Sequence, residues 1–68
     1  MGWRWKEPAK MSRPRSLGGF ATRRDAEISA VYNSSFHRVE DDTIRAGLVR
    51  SLIAAGWSIE PELGGADG

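Results

Sequence analysis

The first hydrophobic pattern along the chain is an alternation of tryptophan and basic residues. In WRWK a period of two places Trp3 and Trp5 on one face and Arg4 and Lys6 on the other, which predicts a β-strand. The next segment, KEPAKMSRPRS, holds two prolines among small and basic residues. It predicts a loop, or two strand edges joined by a turn, because proline lacks the backbone N–H that a helix interior needs.

A first helix is predicted over about 23–33. Gly18-Gly19 before it is interpreted as a flexible hinge, and the Thr22 hydroxyl can accept a hydrogen bond from a free N–H group of the first turn. Asp25 lies three residues later, where its carboxylate can reach back. Asn33-Ser34-Ser35 should end this helix, because such residues compete for backbone hydrogen bonds. The FHRVE segment that follows predicts a short strand or a connector.

A second helix over about 43–55 has the clearest helical periodicity in the chain. Gly56 suits the left-handed residue that ends a helix, and WSIEPEL then predicts a short strand that Pro61 limits to a sheet edge. Arg45 and Arg50 fall on the predicted outer face of this helix. The predicted core face carries the apolar residues at helical spacing, which are Ile44, Leu48, Val49, Leu52, Ile53 and Ala55.

These elements predict a small α+β fold in which short antiparallel strands pack on two helices. We expect one domain over 1–63, with a basic N-terminal arm over 1–24 and a disordered tail over 64–68. A chain of this size buries only about 60% of the surface that it exposes when unfolded. Cysteine is absent, which excludes disulfides and thiolate zinc sites. Docking on a larger partner, or a homodimer formed through the apolar face of the second helix, would supply the missing stabilisation.

Hydropathy along the chain gives no sign of a membrane segment. No apolar run approaches the roughly 20 residues that a membrane-spanning helix requires. The N-terminus lacks the apolar middle section of a secretory signal. We therefore expect a cytoplasmic protein that does not enter a membrane.

Charge divides the chain into a basic and an acidic part. The formal net charge is +1, but residues 1–24 carry seven Lys and Arg against one Glu, a net +6, whereas residues 25–68 carry three Arg against eight acids, a net −5. Such an asymmetry suggests contact with nucleic acid or with an acidic surface. The alternative is that the two parts neutralise each other within the molecule.

The motifs that could carry enzyme chemistry are incomplete. Ser34, Ser35 and His37 are close in sequence, but SSFH has neither a strained elbow nor an evident pair of oxyanion donors. Gly18-Gly19 lacks the spacing of phosphate-cradling loops. The single histidine cannot build a histidine-rich metal site. We expect a protein that is not an enzyme and that needs neither a metal nor another cofactor.

Three adjacent acids, Glu40, Asp41 and Asp42, precede the second helix. Acids at a helix start complement its dipole, each contributing about 0.3–1 kcal/mol. Their spacing does not match a cation-binding loop, whose ligands are spread over about a dozen residues. Another hypothesis is phosphate mimicry, in which the carboxylates occupy the nucleic-acid groove of a partner protein.

The segment 3–30 resembles the N-terminal arm-type DNA-binding domain of tyrosine recombinases, the phage integrases. Members of that family combine an aromatic-basic strand, a turn with proline, a basic strand and the pattern GF-x-T-[KR]-[KR]-x-A-E, and this chain has WRWKEP, RPRS and GFATRRDAE. The resemblance implies a three-stranded sheet that packs on one helix and contacts DNA. It also implies that the strand residues that contact DNA are Arg4, Lys6, Arg13 and Arg15. The rest of the chain does not resemble an integrase.

The resulting hypothesis is a small non-enzymatic binding protein of phage or mobile-element type that contacts DNA. A second hypothesis is a compact inhibitor or adaptor that docks on a host nucleic-acid-handling complex, such as an anti-CRISPR protein or a polymerase inhibitor. It would use the basic arm or the acidic cluster Glu40–Asp42. Cations in the first turn of a helix oppose its dipole, so Arg23 and Arg24 point to a contact surface. The predicted contact residues are Arg4, Lys6, Arg13, Arg15, Arg23 and Arg24.

Overall fold

Residues 2–62 form three short antiparallel strands and two helices. A computed structural model of the chain describes residues 2–62. The α+β class is confirmed, whereas the predicted tail over 64–68 lies outside the described residues. The strands pair in the order β2-β1-β3, so that β1 is central. The elements are β1 (Gly2–Lys6), β2 (Ser16–Phe20), α1 (Arg23–Ser35), α2 (Asp42–Ala54) and β3 (Ser58–Glu62).

The alternation in β1 produces the two faces that were predicted. Trp5 is only 2% exposed on the helix side of the sheet, where its indole Nε1 donates to Ser29 Oγ of α1 at 2.9 Å. The ring of Trp57, which lies just before β3, packs against Trp5 with 5.5 Å between ring centroids and a 40° tilt. Such tilted aromatic pairs are favourable beyond the area that they bury. The tryptophans therefore anchor α1 and the start of β3 to the central strand.

Gly18 and Gly19 lie inside β2, so their interpretation as a hinge was wrong. The pairing of β1 with β2 shifts by one residue between Trp3 and Trp5, and the two glycines stand opposite Arg4 alone. Gly19 has a φ of 84°, which a residue with a side chain rarely adopts. Because this pairing has one extra residue in β2, the glycines form a β-bulge.

The side chain of Glu62, on the edge strand β3, reaches across the sheet to the other edge strand, β2. A Cβ atom on Gly18 would lie 2.6 Å from Glu62 Oε2, so the missing side chain leaves space for the carboxylate. Glu62 Oε1 accepts a hydrogen bond from the Gly19 N–H at 2.8 Å. The edge strand β3 contains Pro61, as predicted, and a proline limits pairing with further strands.

The first helix starts as predicted and ends later. Thr22 is the N-cap, and its hydroxyl accepts from the Asp25 N–H at 3.1 Å. The prediction that 33–35 would break the helix was wrong, because the hydroxyls of Ser34 and Ser35 both donate to the Val31 carbonyl within the last turn. The helix ends instead at Phe36, which has a left-handed φ of 62°. The segment that follows is a connector without strand pairing.

The second helix has the ends that the sequence predicted. Asp41 is its N-cap and accepts from the Ile44 N–H at 2.9 Å. At the other end the Gly56 N–H donates to the Ile53 carbonyl and the Trp57 N–H donates to the Leu52 carbonyl, both at 3.0 Å. These two bonds define a Schellman motif, and the φ of 108° at Gly56 makes glycine the natural residue there.

The burial of α2 differs from the prediction. Only Arg45 and Val49 are buried in this helix, whereas Ile44 is 59% exposed and Leu48 and Ile53 are also exposed. The helix lies on the flank of α1 and contacts β3 only weakly, so a narrow stripe of its surface is covered. The predicted apolar core face was therefore wrong for most of its residues, and the predicted outer position of Arg45 was wrong as well.

Candidate functional site

The structure separates the predicted basic residues into two groups at opposite ends of β1. At one end Lys6 pairs with Ser16, next to the β1–β2 loop that carries Arg13 and Arg15. At the other end Trp3 pairs with Phe20, close to the first turn of α1. Lys6, Arg13 and Arg15 therefore lie near one end of β1, whereas Arg23 and Arg24 lie near the other.

The two arginines at the start of α1 have partners within the molecule. Arg23 Nε donates to Glu27 Oε2 at 2.9 Å, and its guanidinium lies 5.8 Å from the centre of the Trp3 ring. Arg24 Nε donates to Asp42 Oδ1 at 3.3 Å, and Arg24 Nη2 donates to the Glu40 carbonyl at 3.3 Å. The ion pairs, and the contact of Arg23 with the Trp3 ring, offset the repulsion between these cations and the positive N-terminal end of the helix dipole.

Arg4 also has a carboxylate partner. It lies directly opposite Glu60 in the pairing of β1 with β3, and Arg4 Nη2 is 3.5 Å from Glu60 Oε1. Opposite charges at facing strand positions attract each other across the ladder. This pair sits on the face of the sheet that is turned away from the helices and reduces the positive charge of that face.

Arg15 forms the most extensive ion pair of the predicted set. The buried Glu7 carboxylate accepts three hydrogen bonds from Arg15: from the backbone N–H at 2.7 Å, from Nε at 3.1 Å and from Nη2 at 2.8 Å. The side-chain and backbone hydrogen bonds from Arg15 lower the pKa of Glu7, and the hydrogen bond to Glu7 raises the pKa of Arg15. This clamp closes the β1–β2 loop, yet the Arg15 side chain is 60% exposed.

Three cations near this loop have no carboxylate within 4.0 Å among residues 2–62: Lys6, Lys10 and Arg13. All three are exposed and lie within eight residues of one another in sequence. We call them the hairpin cluster. Lys10 counts in the charge of the arm but was not among the predicted contact residues, and its place in the same loop as Arg13 was the signal that could have identified it.

The acidic cluster is neutralised within the molecule. Arg38 Nε donates to Glu40 Oε2 at 2.6 Å, and this hydrogen bond lowers the pKa of Glu40. Asp42 accepts from Arg45 and from Arg24, and those bonds, Arg45 first, lower the pKa of Asp42. Asp41 caps α2. Each acid therefore has a structural role in this region of the fold.

Arg45 connects the two helices. Its side chain is 5% exposed, and its Nε donates to Glu27 Oε1 at 3.1 Å while Nη2 donates to Asp42 Oδ1 at 2.5 Å. Nη1 donates to the Val39 carbonyl at 3.4 Å. The hydrogen bond to Asp42 raises the pKa of Arg45 despite its burial. The spacing of four residues between Arg45 and the buried Val49 could have indicated that they share a face.

The residues that suggested enzyme chemistry have local structural contacts. His37 is exposed, and its Nδ1 lies 2.9 Å from the Ser35 carbonyl oxygen. The Ser34 and Ser35 hydroxyls donate to the Val31 carbonyl. Within residues 2–62 no group of three or more histidines, cysteines or acids could hold a metal ion. In the same part of the chain neither helix is long and apolar enough to cross a membrane.

Comparisons of the chain with protein-family models, with curated proteins and with solved structures find no match. The resemblance to arm-type domains implied three strands that pack on one helix. The structure has two strands before α1 and takes the third from the segment after α2.

Proposed function

We propose that the protein binds duplex DNA through the hairpin cluster, Lys6, Lys10 and Arg13. The observation that carries this proposal is the difference between these cations and the other basic residues of the arm. Arg4, Arg15, Arg23 and Arg24 have carboxylate partners inside the molecule, whereas the three cluster cations are exposed and have none among the described residues. Unpaired surface cations can neutralise phosphates without first breaking an internal ion pair.

The shape of this region supports the same proposal. The cluster lies on a two-stranded antiparallel hairpin, formed by β1 and β2, whose loop extends over residues 7–15. DNA-binding proteins that read a groove with a β-sheet place strands and their side chains against the duplex. The Glu7–Arg15 clamp holds the base of the loop, so fewer conformations of the loop are lost on binding. A sheet that contacts DNA is also what the resemblance to arm-type domains implies.

Fluorescence anisotropy with a labelled duplex tests the proposal. Replacing Lys6, Lys10 and Arg13 together by Gln should abolish binding at low salt. The matched control replaces Arg24, Arg38 and Arg50 by Gln. It removes the same number of positive charges as the first variant, but from the helices and the segment between them. The control should retain binding. Failure of the natural protein to bind, or equal losses in the two triple variants, would contradict the proposal.

A second candidate function is docking on a protein partner, and the exposed apolar residues favour it. Phe36 is 80% exposed, and Ile44 and Leu48 are exposed side by side on one flank of α2. Large apolar side chains on a small surface often mark protein contacts. Capture experiments with and without nuclease would separate this function from DNA binding. Loss of the captured partner in an Ile44→Lys variant, together with retention in the Gln triple variant of the hairpin cluster, would favour protein docking.

A further inference from the structure

A row of three polar side chains crosses the sheet at its hairpin end. Lys6 of β1 lies opposite Ser16 of β2 on one side and opposite Ser58 of β3 on the other. Residues that face each other across antiparallel strands point to the same side of the sheet, with Cβ atoms about 4.5–5.5 Å apart. Lys6, Ser16 and Ser58 therefore share the face of the sheet that is turned away from the helices.

These three residues line a cleft of about 280 Å³ together with Arg15, Pro14 and Gly56. Ala9 and Glu7 also line the cleft, and the charge of Glu7 is compensated by Arg15. Each remaining polar side chain in the cleft can donate a hydrogen bond. The cleft is thus open, small and rich in donors.

Several of the side-chain donors in the cleft have no acceptor among residues 2–62. Within residues 2–62 neither the Ser16 nor the Ser58 hydroxyl has a hydrogen-bond partner, and Lys6 has no carboxylate within 4.0 Å. Arg15 gives its Nε and Nη2 to Glu7, which leaves Nη1 without a described acceptor. Lys6, Arg15, Ser16 and Ser58, which carry one ammonium, one guanidinium nitrogen and two hydroxyls of this kind, therefore line the same cleft.

From this arrangement we infer that the cleft is a phosphate-binding site in which Lys6, Arg15, Ser16 and Ser58 hold the oxygens of a single phosphate group. A tetrahedral anion can accept from all four donors at once, and charge-assisted hydrogen bonds to it are short and strong. The inference deepens the proposed DNA binding, on which its biological meaning rests, because it names the point where one phosphate is fixed. The phosphate belongs either to a backbone diester or to the monoester at a 5′ end.

Amide chemical shifts during titration with inorganic phosphate test the site directly. Sodium chloride at equal ionic strength is the control. We expect the amides of Lys6, Ser16 and Ser58 to shift with phosphate and not with chloride. Shifts that are absent, or that map to the helix layer, would overturn the inference whether or not the protein binds DNA.

Binding of a short duplex with and without 5′-phosphates separates the two sources of the phosphate. Tighter binding of the phosphorylated duplex assigns the site to the terminal monoester, and equal binding assigns it to the backbone diester. In either case the double variant Ser16→Ala, Ser58→Ala should weaken duplex binding at least about tenfold, since two hydrogen bonds from neutral hydroxyls to an anionic phosphate are lost. That variant keeps every charge of the protein.

The matched control is the double variant Ser34→Ala, Ser51→Ala, which removes two hydroxyls from the helices and should leave binding unchanged. Equal binding by the natural protein and the Ser16, Ser58 variant would refute the inference and leave DNA binding intact. Phosphate shifts in the cleft of a protein that binds no duplex would refute the proposed function and support the site. The two proposals can therefore fail separately.

Discussion

The salt dependence of DNA binding gives the sharpest prediction, because the ion pairs of the structure fix how many cations are free. The affinity of a protein for B-DNA falls with salt with a logarithmic slope of about −0.9 for each phosphate that is neutralised. The hairpin cluster supplies the three cations Lys6, Lys10 and Arg13, which have no carboxylate partner within the described part of the chain. Three contacts predict a slope of about −2.7. Raising the salt from about 50 to about 200 mM should then weaken binding about 40-fold.

A different count of contacts would give a very different result. If all seven basic residues of the segment 1–24 neutralised phosphates, the slope would be about −6.3 and the same change in salt would weaken binding about 6,000-fold. Four of those residues have carboxylate partners in the structure: Arg4, Arg15, Arg23 and Arg24. Arg4, Arg23 and Arg24 would each have to exchange that carboxylate for a phosphate, which removes the gain. Arg15 would share the phosphate that Lys6 holds and would add no further one to the count.

The assay is fluorescence anisotropy of a labelled duplex at several sodium chloride concentrations and constant pH. The expected plot of the logarithm of affinity against the logarithm of salt is straight, with a slope between about −2 and −4. A slope near −6 would mean that the internal ion pairs open on binding. A slope near zero would mean that no phosphates are contacted. Either result would refute the reasoning from free and paired cations.

Three further predictions concern the contacts that hold the fold. Ser29→Ala should lower the free energy of unfolding by about 1 kcal/mol, measured by urea unfolding, because the indole N–H of Trp5 loses its acceptor. In a Trp5→Phe background the same substitution should change the free energy of unfolding little, because the donor is already absent. Arg45→Ala should lower stability by about 2 kcal/mol, because the packing of a buried side chain is lost. Arg45→Met should be nearly neutral in the same assay, because methionine restores the packing while Glu27 keeps its pair with Arg23 and Asp42 keeps its pair with Arg24. The hydrogen bonds from Arg15 lower the pKa of Glu7 below the ordinary 4.5. The stability that the Glu7–Arg15 pair contributes is therefore present above that pH and is lost as the pH falls through the lowered pKa. Glu7→Gln should flatten the dependence of the melting temperature on pH in this acidic range.

Local sequence rules predicted the elements whose signals lie within one turn or one strand. The alternation around Trp5, the cap at Thr22 and the stop at Gly56 were all identified from neighbouring residues, and each is present in the structure. Gly18-Gly19 was misread because a double glycine has the same local signature in a hinge and in a bulge. The difference depends on the pairing with β1 and on Glu62, which is distant in sequence but adjacent in the fold.

The face of α2 is a second case in which periodicity was insufficient. An apolar stripe predicts that a helix packs through that stripe, but it does not say how much surface its neighbours offer. Here α1 covers a narrow stripe centred on Val49, and Ile44 remains exposed. Arg45 is buried because Glu27 and Asp42 satisfy its donors, and a partner 18 residues away is invisible to a local pattern.

The sequence by itself determined the α+β class, the approximate positions of both helices and the concentration of positive charge in the first third of the chain. Tertiary structure alone decided which of those charges are free. Arg15 forms an ion pair with Glu7 across the β1–β2 loop, and Arg24 of α1 forms one with Asp42 of α2. Lys6 instead lies opposite two serines. The physical reason is that an ion pair depends on distance in space, and folding brings together charges whose separation along the chain carries no such information.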